Sequence, residues 1–269
     1  MKVLLLDGYN LLYRSYHSSK RFSRGKDWGF TYQFFRSLRP IIEKFNPDVC
    51  YFVLEGYPKW RHEISGNYKV NRKPIQDNSF REEKKIIINI LKESFPIFVV
   101  RHPDHECDDV IANLIWKNHD KDDCVVVSTD SDFIQLLKLD NVRLYNPIKK
   151  SYTSGPEYDY VQWKALRGDG ADDIDGFKGV GDKTATTICV TPGRLKEFLN
   201  TEEKQEKFDK NVKLINFTSI SDMYKIESSP VKSNWELIKE SFNNFGFRTM
   251  ISKDKTWDKY VNTFLTLES

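Results

Sequence analysis

Apolar and polar positions fall in blocks along the chain. Three short apolar runs, KVLLL (2–6), VCYFVL (49–54) and CVVVS (124–128), have strand length, are rich in Val, Leu, Tyr and Phe, and each lead into an acidic residue, Asp7, Glu55 and Asp130. Between them the periodicity predicts helices over about 30–45, 80–94 and 106–118, so strands alternate with helices as in a parallel α/β sheet. The expected fold class is α/β, with a mostly parallel central sheet flanked by helices. Ligand sites in such sheets lie at the carboxyl ends of the strands, where Asp7, Glu55 and Asp130 sit. After about residue 150 strand signals fade, and segments near 157–167, 183–189, 193–217, 233–245 and 256–266 read as helices. The expected organisation is an α/β lobe over 1–150 and a helical lobe over 151–269, sharing a cleft.

Composition changes this picture little. At 269 residues the chain can bury a sizeable core, and it has no apolar run near the ~20 residues of a membrane helix. The opening MKVLLLDGYN is too short in its apolar run for a signal peptide, so a cytoplasmic protein without a membrane partner is expected. Cysteines 50, 107, 124 and 189 are scattered, without C-x-x-C pairs, and read as reduced core thiols. A formal net charge of +3 is too near neutral to argue for nucleic acid by itself.

Candidate chemistry lies in the acids. LLLDG (Asp7), FVLEG (Glu55), HECDDVIA (Glu106, Asp108, Asp109), STDSD (Asp130, Asp132) and GDGADD (Asp169, Asp172, Asp173) mostly abut apolar segments that must be buried. Taken singly, each acid fits a helix cap or a solvated turn. Carboxylates gathered at one sheet edge would repel strongly unless cations compensate them, and hard oxygen ligands without matching His or Cys point to Mg²⁺ or Mn²⁺. Glu106 and Asp109, three apart at a helix start, share a face; Asp130 and Asp132 leave a strand end on alternate positions and can point the same way.

In this order the segments resemble the 5′-nuclease, or flap endonuclease, superfamily, especially bacteriophage 5′-exonucleases and the 5′-nuclease domain of bacterial DNA polymerase I. LLLDGYNLLYRSYH is similar to the family's opening strand and aspartate, WRHEISGNYKVNR to its Arg-x₆-Tyr-Lys-x-x-Arg segment, HECDDVIA to its Glu-x-Asp-Asp motif, and STDSDFIQLL and KALRGDGADDIDGFKGVGDKTA to its remaining acidic motifs and helix-hairpin-helix. The resemblance implies a PIN-like 5′-nuclease fold, a helical arch at about 60–90 and a C-terminal helix-hairpin-helix (helix-three-turn-helix) at about 168–190. The family's metal ligands map onto Asp7, Glu55, Glu106, Asp108, Asp109, Asp130, Asp132, Asp169 and Asp172, and its catalytic cations onto Lys69, Arg72 and Lys164. DNA-binding roles map onto Tyr68, Lys73, Arg81, Lys84 and Lys85 in the arch and onto Gly179, Gly181, Lys183 and Thr184 in the hairpin. Where relatives end the second strand with aspartate, this chain has Glu55, and its interval to the family arginine, Arg61, is one residue shorter.

The implied function is a structure-specific 5′-3′ exonuclease and flap endonuclease using two Mg²⁺ ions, with Mn²⁺ as a substitute and K⁺ at the helix-hairpin-helix. Its expected partners are DNA with 5′ ends, flaps or nicks, RNA–DNA hybrids and a polymerase on a separate chain; a monomer acting in a bacterial host cytoplasm after phage infection is expected. Two rival readings are a non-catalytic branched-DNA-binding protein of the same fold, which retention of every acid opposes, and a PIN-like RNA-directed nuclease, which leaves the helix-hairpin-helix unexplained.

Overall fold

The computed structural model describes residues 1–22, 28–73 and 75–268. Its strands are β1 (Lys2–Asp7), β2 (Val49–Leu54), β3 (Phe98–Arg101), β4 (Asp123–Val127), β5 (Val142–Asn146), β6 (Ser151–Thr153), β7 (Gly168–Asp169), β8 (Ile174–Asp175) and β9 (Glu227–Ser228). The helices are α1 (Gly8–Phe22), α2 (Gly29–Phe45), α3 (Lys59–Ile64), α4 (Asn78–Ser94), α5 (Cys107–Asn118), α6 (Tyr160–Arg167), α7 (Asp182–Val190), α8 (Arg194–Phe198), α9 (Glu202–Ile215), α10 (Trp235–Asn244), α11 (Arg248–Ile251) and α12 (Asp254–Asn262), with a 3₁₀ helix at Ser131–Lys138.

Seven strands form one sheet in the order β6-β5-β4-β1-β2-β3-β9. β1 is central and pairs in parallel with β2 and β4, Leu4 opposite Cys50 on one side and Val125 on the other; only the edge strands β6 and β9 run antiparallel. The expected mostly parallel sheet flanked by helices is therefore what the chain forms. Because side chains alternate across a strand, Leu4 and Leu6 pack with α1, α2 and α4 on one face, while Val3 and Leu5 pack with α5 on the other. Both faces are covered, which is why β1 reads as an unbroken apolar run.

The helices after residue 151 pack in two separate places. Ala165, Leu166, Ile188, Phe208 and Leu214 from α6, α7 and α9 form a core with Tyr68 and Ile174 beside the sheet's carboxyl edge. α10 to α12 instead return to the first core: the Phe242 ring lies 5.1 Å from Phe35, and Phe264 lies 5.2 Å from Phe95. The helix expected over 193–217 is broken between α8 and α9, where Thr201 accepts a hydrogen bond from the Lys204 N–H and restarts the helix. α1 and α3 are additions to the expected elements, as are strands β3, β5, β6, β7, β8 and β9.

Candidate active site

β1, β2 and the segment after β4 deliver three acids to one edge of the sheet. Asp7 ends β1, and α1 begins at once: a Cβ on Gly8 would stand 2.4 Å from the Val53 carbonyl oxygen, so only glycine allows that close turn. The Asp7 carboxylate is almost fully buried; it accepts from the Ser128 hydroxyl at 2.7 Å and from the Asn10 N–H at 3.1 Å. Glu55 follows β2, and its Oε2 accepts the Cys107 N–H at 2.8 Å, at the start of α5, where the helix dipole favours negative charge. Gly56 is forced for the same reason as Gly8, since a Cβ there would stand 1.9 Å from the His102 carbonyl oxygen.

Asp130 and Asp132 do not continue a strand, contrary to the expected alternation. β4 stops at Val127, and Asp130 caps the 3₁₀ helix by accepting from the Asp132 N–H at 2.9 Å. The tight first turn brings both carboxylates to the cleft. Asp169 and Asp172 come from the β7–β8 hairpin, whose base closes so tightly that a Cβ on Gly168, at φ +82°, would lie 2.3 Å from the Gly176 nitrogen. One oxygen from each of Asp132, Asp169 and Asp172 lies within 4.8 Å of the others.

Seven of the nine expected acids, Asp7, Glu55, Asp108, Asp130, Asp132, Asp169 and Asp172, line a single cleft of about 710 Å³ together with Lys69, Arg72 and Lys164. Glu106 and Asp109 do not line it. Asp109, at 0% exposure, is gripped by the Arg61 guanidinium at 2.5 and 2.9 Å and by the Thr218 N–H at 3.0 Å. Glu106 accepts from Tyr68 at 2.9 Å, from Arg61 at 3.0 Å and from Lys69. Both carboxylates are thus engaged by Arg61, as Asp132, Asp169 and Asp172 are engaged by Lys164, Lys69 and Arg72.

Tyr68 packs inward: it is 3% exposed and its hydroxyl donates to Glu106 and Asp172. It pins the segment after α3 onto the hairpin, with the Lys69 N–H donating to the Asp172 carbonyl, Asn71 bonded to Asp173, and Arg72 donating to Asp172 at 2.7 Å. Lys84 reaches the cleft rim through Tyr9, 3.2 Å from its hydroxyl. Lys73, Arg81, Lys85, Gly179, Gly181, Lys183 and Thr184 are exposed and lie outside the cleft lining. Sequence reasoning passed over Ser128, which orients Asp7, and the cleft aromatics Tyr9, Tyr13 and Trp163. Tyr9 and Tyr13 are four apart on α1 and so share a face.

Charge crowding shows in the acidities. Burial pushes the Asp7 carboxyl up to about 6. Burial and then the Glu106 charge push Glu55 to about 7. Burial pushes Asp132 to about 6 even with Lys164 opposing, and burial with the Glu55 and Asp130 charges raises Asp108 well above the usual range. Burial would raise Asp169 as well, but its 2.6 Å contact with Lys164 outweighs that and holds it low. Burial also works against the Lys164 ammonium, which Asp132 and Asp169 nevertheless keep above its ordinary value. A cleft of hard oxygen donors that retain protons at near-neutral pH is deficient in positive charge, which divalent cations would supply.

A pH dependence follows. Because the folded values of Asp7, Glu55 and Asp132 lie above the unfolded ones, the folded metal-free protein binds more protons, and this stability is lost as pH rises through about 6 to 7. Metal-free protein is expected to melt at a lower temperature at about pH 7.5 than at about pH 5.5, and saturating Mg²⁺ to restore stability mainly at the higher pH. Thermal unfolding with and without Mg²⁺ at both pH values checks this; a metal-free Tm that rises with pH would contradict it.

Comparison with known proteins shows the family and the fold. Residues 2–164 match the family model described as 5′-3′ exonuclease, N-terminal resolvase-like domain. The 5′-3′ exonuclease of Aquifex aeolicus is 32% identical over 224 residues, covering 77% of this chain and 75% of the relative. The thermostable DNA polymerase I of Thermus aquaticus is 29% identical over 215 residues, covering 76% of this chain, which thereby spans only 25% of that polymerase. The bacteriophage T5 D15 flap endonuclease, solved as a pseudo-enzyme-product complex with DNA and metal ions, superposes with a TM-score of 0.63 over the whole of both chains at 19% identity, a likeness of fold.

Proposed function

The chain belongs to the 5′-3′ exonuclease family, and from that premise we propose that it is a Mg²⁺-dependent, structure-specific 5′ nuclease that hydrolyses DNA phosphodiesters at 5′ ends and flaps. The observation that carries this reading is the convergence of seven carboxylates and the cations Lys69, Arg72 and Lys164 on one cleft at the carboxyl ends of the parallel strands. The donor chemistry fits the family's divalent ions: Asp7, Glu55, Asp108 and Asp130 on one side and Asp132, Asp169 and Asp172 on the other would hold them. The chemistry such ions would supply there is activation of a water nucleophile and stabilisation of the leaving oxygen.

The protein's own groups do the rest. Ser128 and the Cys107 N–H fix the Asp7 and Glu55 carboxylates in place. Lys164 sits between Asp132 and Asp169, a position from which its charge offsets that of the scissile phosphate. Lys69 and Arg72, held by Glu106 and Asp172, would face the same phosphate from the strap after α3. Tyr9 and Tyr13 offer faces for bases entering the cleft. Duplex binding is assigned to the exposed hairpin, where Gly179 at φ +79° and Gly181 at the N-cap of α7 let N–H groups approach a backbone phosphate, with Lys183 and Thr184 beside them and K⁺ as an added counter-charge. Such contacts give affinity without base specificity. RNA–DNA hybrids and a polymerase on another chain belong to the same reading.

Hairpin and cleft separate by mutation. Gly181 has φ −93° and open space where a Cβ would project, so Gly181→Val is expected to fold normally yet to weaken binding of duplex-containing DNA several-fold. Wild-type affinity at moderate salt would remove the hairpin from the interface. The function itself is tested by end-labelled flap, nicked-duplex and hybrid substrates with and without Mg²⁺: metal-dependent release from the 5′ side is expected, and flap binding without cleavage in any divalent metal would overturn the nuclease reading.

A further inference from the structure

On the far side of α1 from the cleft lies a second pocket of about 580 Å³, lined by Arg14, Ser15 and Ser18 of α1, by Ser37 and Lys44 of α2, and by Lys150 of the β5–β6 turn. Among the described residues no acidic side chain lines it. Arg14 is half-buried, and among the described residues it pairs with no carboxylate and makes no hydrogen bond; burial without a counter-ion pushes its guanidinium below the ordinary value. Lys44, equally without an acidic partner, is held over the Tyr145 ring, 5.2 Å from its centroid. Ser15 is 3% exposed and, among the described residues, its hydroxyl has no hydrogen-bond partner, so the pocket also keeps a buried polar group unsatisfied. A half-buried cation and a buried hydroxyl are both costly when unpaired, and a phosphate group would satisfy the two together.

We propose that this pocket is a second phosphate subsite, which takes a backbone phosphate of the nucleic-acid strand after it has crossed α1 from the cleft. Continuity along α1 favours a strand over a free anion. Tyr9, Asn10 and Tyr13 line the cleft while Arg14, Ser15 and Ser18 line the pocket, and Arg14 follows Asp7 by seven residues, about 10 Å along the helix axis. A strand leaving the acids over Tyr13 meets Arg14 next. The proposal rests on the nuclease reading and adds a binding site to it.

The test is anisotropy of a fluorescent 5′-flap DNA in EDTA across a salt series, for wild type, Arg14→Gln/Lys44→Gln/Lys150→Gln, and Arg14→Lys. The triple variant is expected to raise Kd about tenfold and to flatten the log–log salt slope by roughly one, as expected when one phosphate contact is lost; Arg14→Lys should regain most of the affinity. Lys44→Gln/Lys150→Gln alters only exposed side chains and keeps the test open if the triple variant misfolds, with an expected rise of about threefold. Unchanged Kd and slope in an enzyme that still cleaves flaps with Mg²⁺ would overturn the subsite alone. A wild type that neither binds nor cleaves flap DNA would overturn both readings. Inorganic phosphate binding lost in the variant while DNA affinity is kept would overturn the strand assignment in favour of a free-anion site.

Discussion

Asp108→Asn is expected to lower Mg²⁺-dependent flap cleavage by about 10²–10⁴-fold while leaving the protein folded, and in the absence of metal more stable than wild type. Asp108 stands in the first turn of α5 and lines the cleft, its carboxyl facing the charges of Glu55, Asp130 and Glu106. Replacing it with an isosteric amide removes the ionisable group. In metal-free protein the loss spares the cost of holding a proton on a carboxyl beside those charges, so thermal unfolding at about pH 7.5 should move upward and the extra stabilisation by saturating Mg²⁺ should shrink. Under nuclease conditions the same loss removes a hard anionic ligand and several kcal/mol of charge stabilisation. Opposite signs for stability and activity distinguish a metal ligand from a structural residue, whose replacement lowers both. Cleavage within a few-fold of wild type, or a destabilised metal-free variant, would count against the assignment.

Arg61→Ala is expected to cost about 3–5 kcal/mol of folding stability, the largest effect outside the cleft, because it leaves buried carboxylates uncompensated. Arg61 is 2% exposed; it holds Asp109 through both terminal nitrogens, lies 3.0 Å from Glu106, and donates Nε to the Leu214 carbonyl of α9. One side chain thus ties α3, α5 and α9 into a floor beneath the cleft. The Arg61→Met/Asp109→Leu pair, which removes both charges, should recover much of the loss. Denaturant unfolding of the single and double variants measures this; an Arg61→Ala penalty under about 1 kcal/mol would show that the pair is not buried as described.

The acids at the strand ends were legible because parallel strands covered on both faces must be unbroken apolar runs, so a carboxylate at the end of each stands out. The partner of Glu55 was not legible: its side chain accepts the N–H of Cys107, 52 positions on, at the start of α5. The surroundings of Asp109 and Tyr68 were not legible because their partners are remote in sequence. The period of α5 puts Glu106 and Asp109 on one face, but it carries no signal that Arg61, 48 positions before Asp109, would occupy that face. Nor did local pattern show Tyr68 turned inward toward Asp172, 104 positions away. α1 escaped notice because its polar side faces the two pockets, so its sequence mixes aromatics, serines and cations. The docking of α10 to α12 on Phe35 and Phe95 depends on aromatic packing that one-dimensional periodicity does not encode.

Anomalous diffraction from crystals of the protein soaked in Mn²⁺ shows whether the seven cleft carboxylates form a divalent-metal nuclease site. Two Mn²⁺ peaks are expected in the cleft, one among Asp7, Glu55, Asp108 and Asp130 and one among Asp132, Asp169 and Asp172, both weakened in Asp130→Asn crystals. Cleft density without an anomalous signal at saturating Mn²⁺, or peaks only elsewhere, would contradict it.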